Sequence, residues 1–114
     1  MIWDDIKDNL KSNGIDVYSP GTKQDECKAP YVVVKASGSS EYNGYSTDVN
    51  YYDVMCYVPQ LKYSTLLPFV KQVEDVMKKI EPKVKPMNSK SPSFYDDKYK
   101  AHMISVSYRN FTKQ

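Results

Sequence analysis

Few side chains in this 114-residue chain are of types that do chemistry, and none is spaced for it. His102 is the only histidine, and it falls in an alternating run, His102-Met103-Ile104-Ser105-Val106. A general base needs a nucleophile and an orienting carboxylate close by, and the local sequence supplies neither, so His102 reads as a structural residue. Cys27 and Cys56 are the only cysteines and lack the short spacing of a metal-binding pair. Cys56 sits in a predicted strand and reads as a buried free thiol. Asp96 and Asp97 are adjacent carboxylates that could hold a cation. Their segment lacks the spaced acidic ligands and terminal glutamate of a calcium loop, so it reads as a solvated turn. Glycine occurs only at 14, 21, 38 and 44, which leaves no Walker-type phosphate loop and no dinucleotide fingerprint. The expectation is a protein that is not an enzyme and needs no metal or cofactor.

Tyrosine is the unusual component, at 11 of 114 residues. Exposed tyrosines interleaved with lysine could stack single-stranded bases, with Lys35, Tyr51 and Tyr57 as the platform. They could equally form a protein interface, since tyrosine offers large contact area with a hydrogen-bonding tip. A coding bias that favours Lys, Asn and Tyr over Arg would also raise the count. Interface plus bias is the favoured reading. The net charge is only +2 and Arg109 is the only arginine, so bidentate recognition of bases or phosphates has little to draw on. No specific nucleic-acid binding is expected.

These residues must be positioned by one domain, 1–114, of a size that buries a core without metal or disulfide staples. The start, MIWDDIKDNL, is acidic and amphipathic, unlike a secretory signal, and no apolar run is long enough to cross a membrane. A soluble intracellular product without membrane contact is expected. Ile2, Trp3, Ile6 and Leu10 share one helical face, and Asn13-Gly14 stops that helix. Ile15, Val17 and Tyr18 form a short strand, followed by a polar loop over 21–29. Residues 30–36, PYVVVKA, are a β-branched strand. Residues 37–47, with Asn43-Gly44 as a turn signal, read as a long hairpin loop leading into a second strand over 49–58. That strand, VNYYDVMCYV, has Tyr52, Val54, Cys56 and Val58 on one face and Tyr51, Asp53, Met55 and Tyr57 on the other. The first set suits the core.

Ser64 or Thr65 can cap a helix whose stripe is Leu66, Phe69, Val70, Val73, Val76, Met77 and Ile80, ending at Glu81-Pro82. Such a stripe packs on a sheet rather than holding a cofactor. Residues 83–98 are rich in proline, serine and lysine and should be mostly extended or irregular, with one short strand near 84 or 94–95. Residues 101–109 form the last strand, and 110–114 trail off as a polar tail. The fold class is α+β, a mostly antiparallel sheet with two helices packed on one face.

Four stretches carry a resemblance that covers most of the chain: NGIDVYSPG, APYVVVKASG, YYDVMCYVPQLKYSTLLPFVKQVEDVMKKI and AHMISVSYRNF. In the third, a strand ending in a Val-Pro step leads into an amphipathic helix. Their order resembles the tail-terminator (tail-completion) proteins of long-tailed bacteriophages and phage-derived particles. The resemblance implies a structural virion protein, made in the host cytoplasm, that forms a homo-oligomeric ring, usually a hexamer, on the head-proximal end of the tail tube. Its partners would be itself, the tail tube protein and a head-connector or neck protein. It would end tube polymerisation and offer the surface for head–tail joining. Tyr51, Met55 and Tyr57 are then the expected second sheet face that meets neighbours, with Tyr42, Tyr45, Phe94 and Tyr95 as further interface candidates. The loops 37–47 and 83–98 are expected to order on assembly. A head-closure or adaptor neck protein and a small single-strand nucleic-acid-binding protein are the alternatives.

Overall fold

The computed structural model describes residues 2–22, 25–41 and 47–113. Helix α1 spans Ile2–Ser12, with Asp4 and Asp5 in its first turn, where the helix dipole favours negative charge. It ends at Gly14 in the left-handed conformation (φ 81°). There the Gly14 and Ile15 N–H groups return to the Lys11 and Leu10 carbonyls, satisfying groups the helix leaves open. A two-residue strand β1 (Val17–Tyr18) follows, and then β2 (Tyr31–Glu41) and β3 (Thr47–Pro59). Helix α2 (Leu66–Met77) continues as a 3-10 turn to Ile80. Strands β4 (Lys85–Lys90), β5 (Phe94–Asp96) and β6 (Ala101–Lys113) complete the chain.

The six strands form one sheet in the order β1-β2-β3-β6-β4, with β5 also paired to β6. Only β1 and β2 run parallel. This is the expected α+β class, with α1 and α2 on the same face of the sheet. Ile6 and Leu10 from α1 and Val70, Val73 and Met77 from α2 meet Val34, Val54, Cys56, Val58 and Val106 there, all buried. The arrangement follows from two periods: the α2 stripe recurs at three- and four-residue steps, and the sheet positions at every second residue. Burying each such valine, leucine or methionine is worth about 1.5–3 kcal/mol. The Trp3 indole N–H donates to the Val34 carbonyl (2.8 Å) and ties α1 to β2.

Several local expectations change. The serine- and glycine-rich residues 37–41 extend β2 instead of forming a loop, and Thr47 already belongs to β3. Ladder pairing is made by the backbone, so weak strand formers are carried along once β3 lies beside them. Ser37 is absorbed as a bulge between the pairs Ala36–Tyr52 and Gly38–Tyr51. Gly38 takes φ 136°, a region that favours glycine. Residues 42–46, including Tyr42 and Tyr45, lie outside the described residues. Residues 83–98 hold two short strands rather than one, and residues 110–113 extend β6 rather than forming a tail. Thr65 precedes α2 but makes no side-chain cap: its hydroxyl donates to the Lys62 carbonyl (2.6 Å). A 3-10 segment over Gln60–Thr65, kinked at Lys62, leads directly into α2, and the Leu66 N–H bonds back to the Tyr63 carbonyl, satisfying one of the donors a cap would serve.

Candidate interaction surfaces

The face of the sheet opposite the helices divides into two halves. At the end near Pro59, Tyr31 stacks on Tyr57 (ring centroids 4.8 Å, 13°), while Tyr18 and Tyr99 meet that pair edge-on at 5.4 and 6.3 Å. The loop before β2 and the turn before β6 fold over this end and are pinned together by the Cys27 N–H on the Tyr99 carbonyl (2.7 Å). Cys27, Tyr31, Tyr57 and Ala101 are buried beneath them, with Val33, Met55 and Met103 half-buried alongside. Burial pushes the Tyr31 phenol well above its usual range and the Tyr57 phenol up to about 12, with Cys27 and Asp96 respectively as the next causes.

Tyr57 is therefore an internal packing residue, only 6% exposed, and not part of a partner-facing surface. The strand alternation placed it on the correct face. What the alternation could not register is that a loop from another part of the chain covers that face locally. Met55 is half-buried at the margin of the same cluster. The stacking platform of Lys35, Tyr51 and Tyr57 loses one ring for the same reason.

The other half of this face carries no covering element among the described residues. Lys35, Asp53 and Ser107 lie side by side, the Ser107 hydroxyl donating to Asp53 Oδ1 (3.2 Å). Beyond them Tyr51 pairs with Arg109, whose guanidinium lies 5.4 Å from the Phe111 ring centroid. Tyr51 is half-exposed and Phe111 is 41% exposed.

A second surface sits at the Pro59 end of the molecule. Leu61 (91% exposed), Tyr63, Leu67 (70%), Phe94 and Tyr95 present apolar side chains to solvent there. His102 lies between Tyr63 and Tyr95, with centroid distances of 4.6 and 5.2 Å. Tyr63 and Leu67 border a groove of about 380 Å³ walled by Ser91, Pro92 and Ser93 and floored by Ile104. Phe94 and Tyr95 were expected at an interface and are exposed. Leu61, Tyr63 and Leu67 were not anticipated, although Leu61 and Leu67 stand off the α2 stripe and were legible as apolar residues with no core to face.

The groups with chemical potential are occupied locally. Asp96 Oδ1 accepts the N–H groups of Lys98 and Tyr99 (3.0 and 3.3 Å), closing the turn before β6. Asp97 pairs with Lys100 (3.3 Å), and that hydrogen bond holds the lysine's pKa above its usual value. Burial pushes the Cys56 thiol up to about 12, which leaves it an inert packing group. Among the described residues no three His, Cys, Asp or Glu side chains gather as a metal site. No described helix is long and apolar enough to cross a membrane. Models of known protein families do not match this sequence, and no curated protein is significantly similar to it.

Proposed function

We propose that this protein is a ring-forming structural component that ends a phage-type tail tube and offers the surface to which the head connector joins. The observation that carries the reading is the placement of two chemically different exposed surfaces at opposite ends of one sheet. The long axis of the molecule is 47 Å. One end carries the Leu61, Leu67, Phe94 and Tyr95 surface, mostly apolar. The other carries Tyr51, Arg109 and Phe111, aromatic and cationic. A tube end presents the same surface after every added ring, so growth stops only when a subunit matches the tube on one side and refuses it on the other. A body with unlike ends meets that requirement, and the role calls for no chemistry.

Electron microscopy of particles made without this protein tests the reading. Tubes of uncontrolled length that fail to join heads are expected. Tails of normal length joined normally to heads would reject it.

A further inference from the structure

The 3-10 segment over Gln60–Thr65 walls a depression of about 630 Å³, a size common among ligand sites. The loop over 26–30 and Lys100 close its other sides. One turn ties these walls together. The Tyr99 carbonyl accepts the Cys27 N–H (2.7 Å), and the next carbonyl along, that of Lys100, accepts the Gln60 N–H (3.0 Å). Lys100 takes φ 51°, a left-handed conformation uncommon outside glycine, and residues held in it gather at ligand clamps. Ala29, Pro30, Pro59 and Leu61 give the depression an aliphatic lining. Lys28, Lys62 and Lys100 line it as well, with Glu26 as the one carboxylate. Lys100 is paired with Asp97 (3.3 Å), whereas Lys28 and Lys62 are exposed and have no carboxylate partner among the described residues.

We infer that this depression is a docking site for an acidic segment of a partner protein, an aliphatic side chain seating against Pro30, Pro59 and Leu61 while neighbouring carboxylates meet Lys28 and Lys62. Charge complementarity chooses the occupant. An aliphatic lining beside two unmatched cations favours an apolar group flanked by negative charge. A basic segment would be repelled there, and an uncharged one would gain nothing from either lysine. The lysine stems can lie along the apolar side chain while their ammonium groups stay in water. The same lining argues against nucleic acid. No aromatic ring lines the depression for a base to stack on, and no arginine lines it to fork onto a phosphate. The tie through Tyr99 and Lys100 holds the walls in place before a partner arrives, which lowers the ordering cost of binding. The site stands on its own geometry and does not rest on the tail reading.

Titrating the isotopically labelled full-length protein with a peptide of alternating leucine and glutamate tests the site by NMR. The amide signals of Lys28, Leu61, Lys62 and Lys100 should move together. Lys28→Glu with Lys62→Glu should weaken binding about tenfold, since two exposed charge pairs are lost. Leu61→Ser should weaken it several-fold. These side chains are exposed, so the variants should melt like wild type. Lys35→Glu with Lys85→Glu makes the same change in net charge away from the depression and should bind like wild type. Equal weakening by both lysine pairs would reduce the binding to general charge attraction and overturn the inference. Failure of the peptide to bind would overturn it too, as would equal binding of a leucine–glutamine peptide. Tighter binding of single-stranded oligothymidylate or of decanoate at the same signals would replace the protein partner with nucleic acid or a free fatty acid. The two proposals fail separately. Moved signals with normal tails in the absence of the protein would keep this site and reject the tail role. Overgrown tubes without peptide binding would keep the tail role and reject this site.

Discussion

The two faces of the central strand β3 differ in how they are closed. Tyr52, Val54, Cys56 and Val58 are buried by two helices. On the other face Val49 and Tyr57 are buried, Met55 is half-buried, and Tyr51 and Asp53 lie where no described element packs. A helix closes a face along its length because its apolar stripe repeats. A loop closes it only where specific backbone bonds hold it down, here Cys27 to Tyr99. One face is thus committed to stability, while the other leaves Lys35, Arg109 and Phe111 exposed.

Substitutions can break this contrast in order of expected effect. Val73 is fully buried against the helix-covered face, so Val73→Asp places an unpaired carboxylate there and should cost about 4 kcal/mol or more. That is enough to unfold a marginally stable domain, and a variant that melts like wild type would remove α2 from the core. Tyr57→Ala empties the smaller cluster and should cost about 3 kcal/mol in denaturant unfolding. Retention of full stability would mean the loop does not hold Tyr57 in place. This replaces the expectation that Tyr57 acts at an interface, which leaves Tyr51 as the probe of the open face. Tyr51→Ala should shift folding by less than about 1 kcal/mol while weakening self-association, read by sedimentation.

The tyrosine cluster also has a pH signature. Below pH 10 both the folded and the unfolded chain hold the Tyr57 proton, and the contribution of its burial is fully present. Between pH 10 and about 12 only the unfolded chain releases it, so stability falls as pH rises through that window. Tyr31, Cys56 and Tyr108 are shifted in the same direction. Tyr57→Phe should therefore flatten part of the alkaline loss seen in unfolding midpoints, and an unchanged profile would place the phenol in water. The smallest effects are expected from His102→Ala and from Asp96→Asn with Asp97→Asn, which should leave the proposed function largely intact provided folding survives. A folded variant that assembles yet loses function would make these residues a site.

The helix-covered core was legible because it is written in local periods. The every-second-residue pattern of β3 and the α2 stripe each mark a face without knowledge of any distant residue. The candidate surfaces were legible only in part, for a matching reason. Phe94 and Tyr95, named as interface candidates, stand exposed, whereas the fate of Tyr57 depended on a contact between residues 27 and 99. The exposure of Leu61 and Tyr63 depended on the 3-10 segment that takes them away from the core.

The sequence by itself determined which residues alternate inward on each strand, where the amphipathic helices begin and end to within a turn, and that no chemical motif is present. Tertiary structure alone decided how far the strands run and where their edges lie open. Residues 37–41 have little side-chain preference for a strand, and their conformation, like that of 110–113, comes from backbone pairing with β3. That pairing exists only once remote segments have been brought side by side.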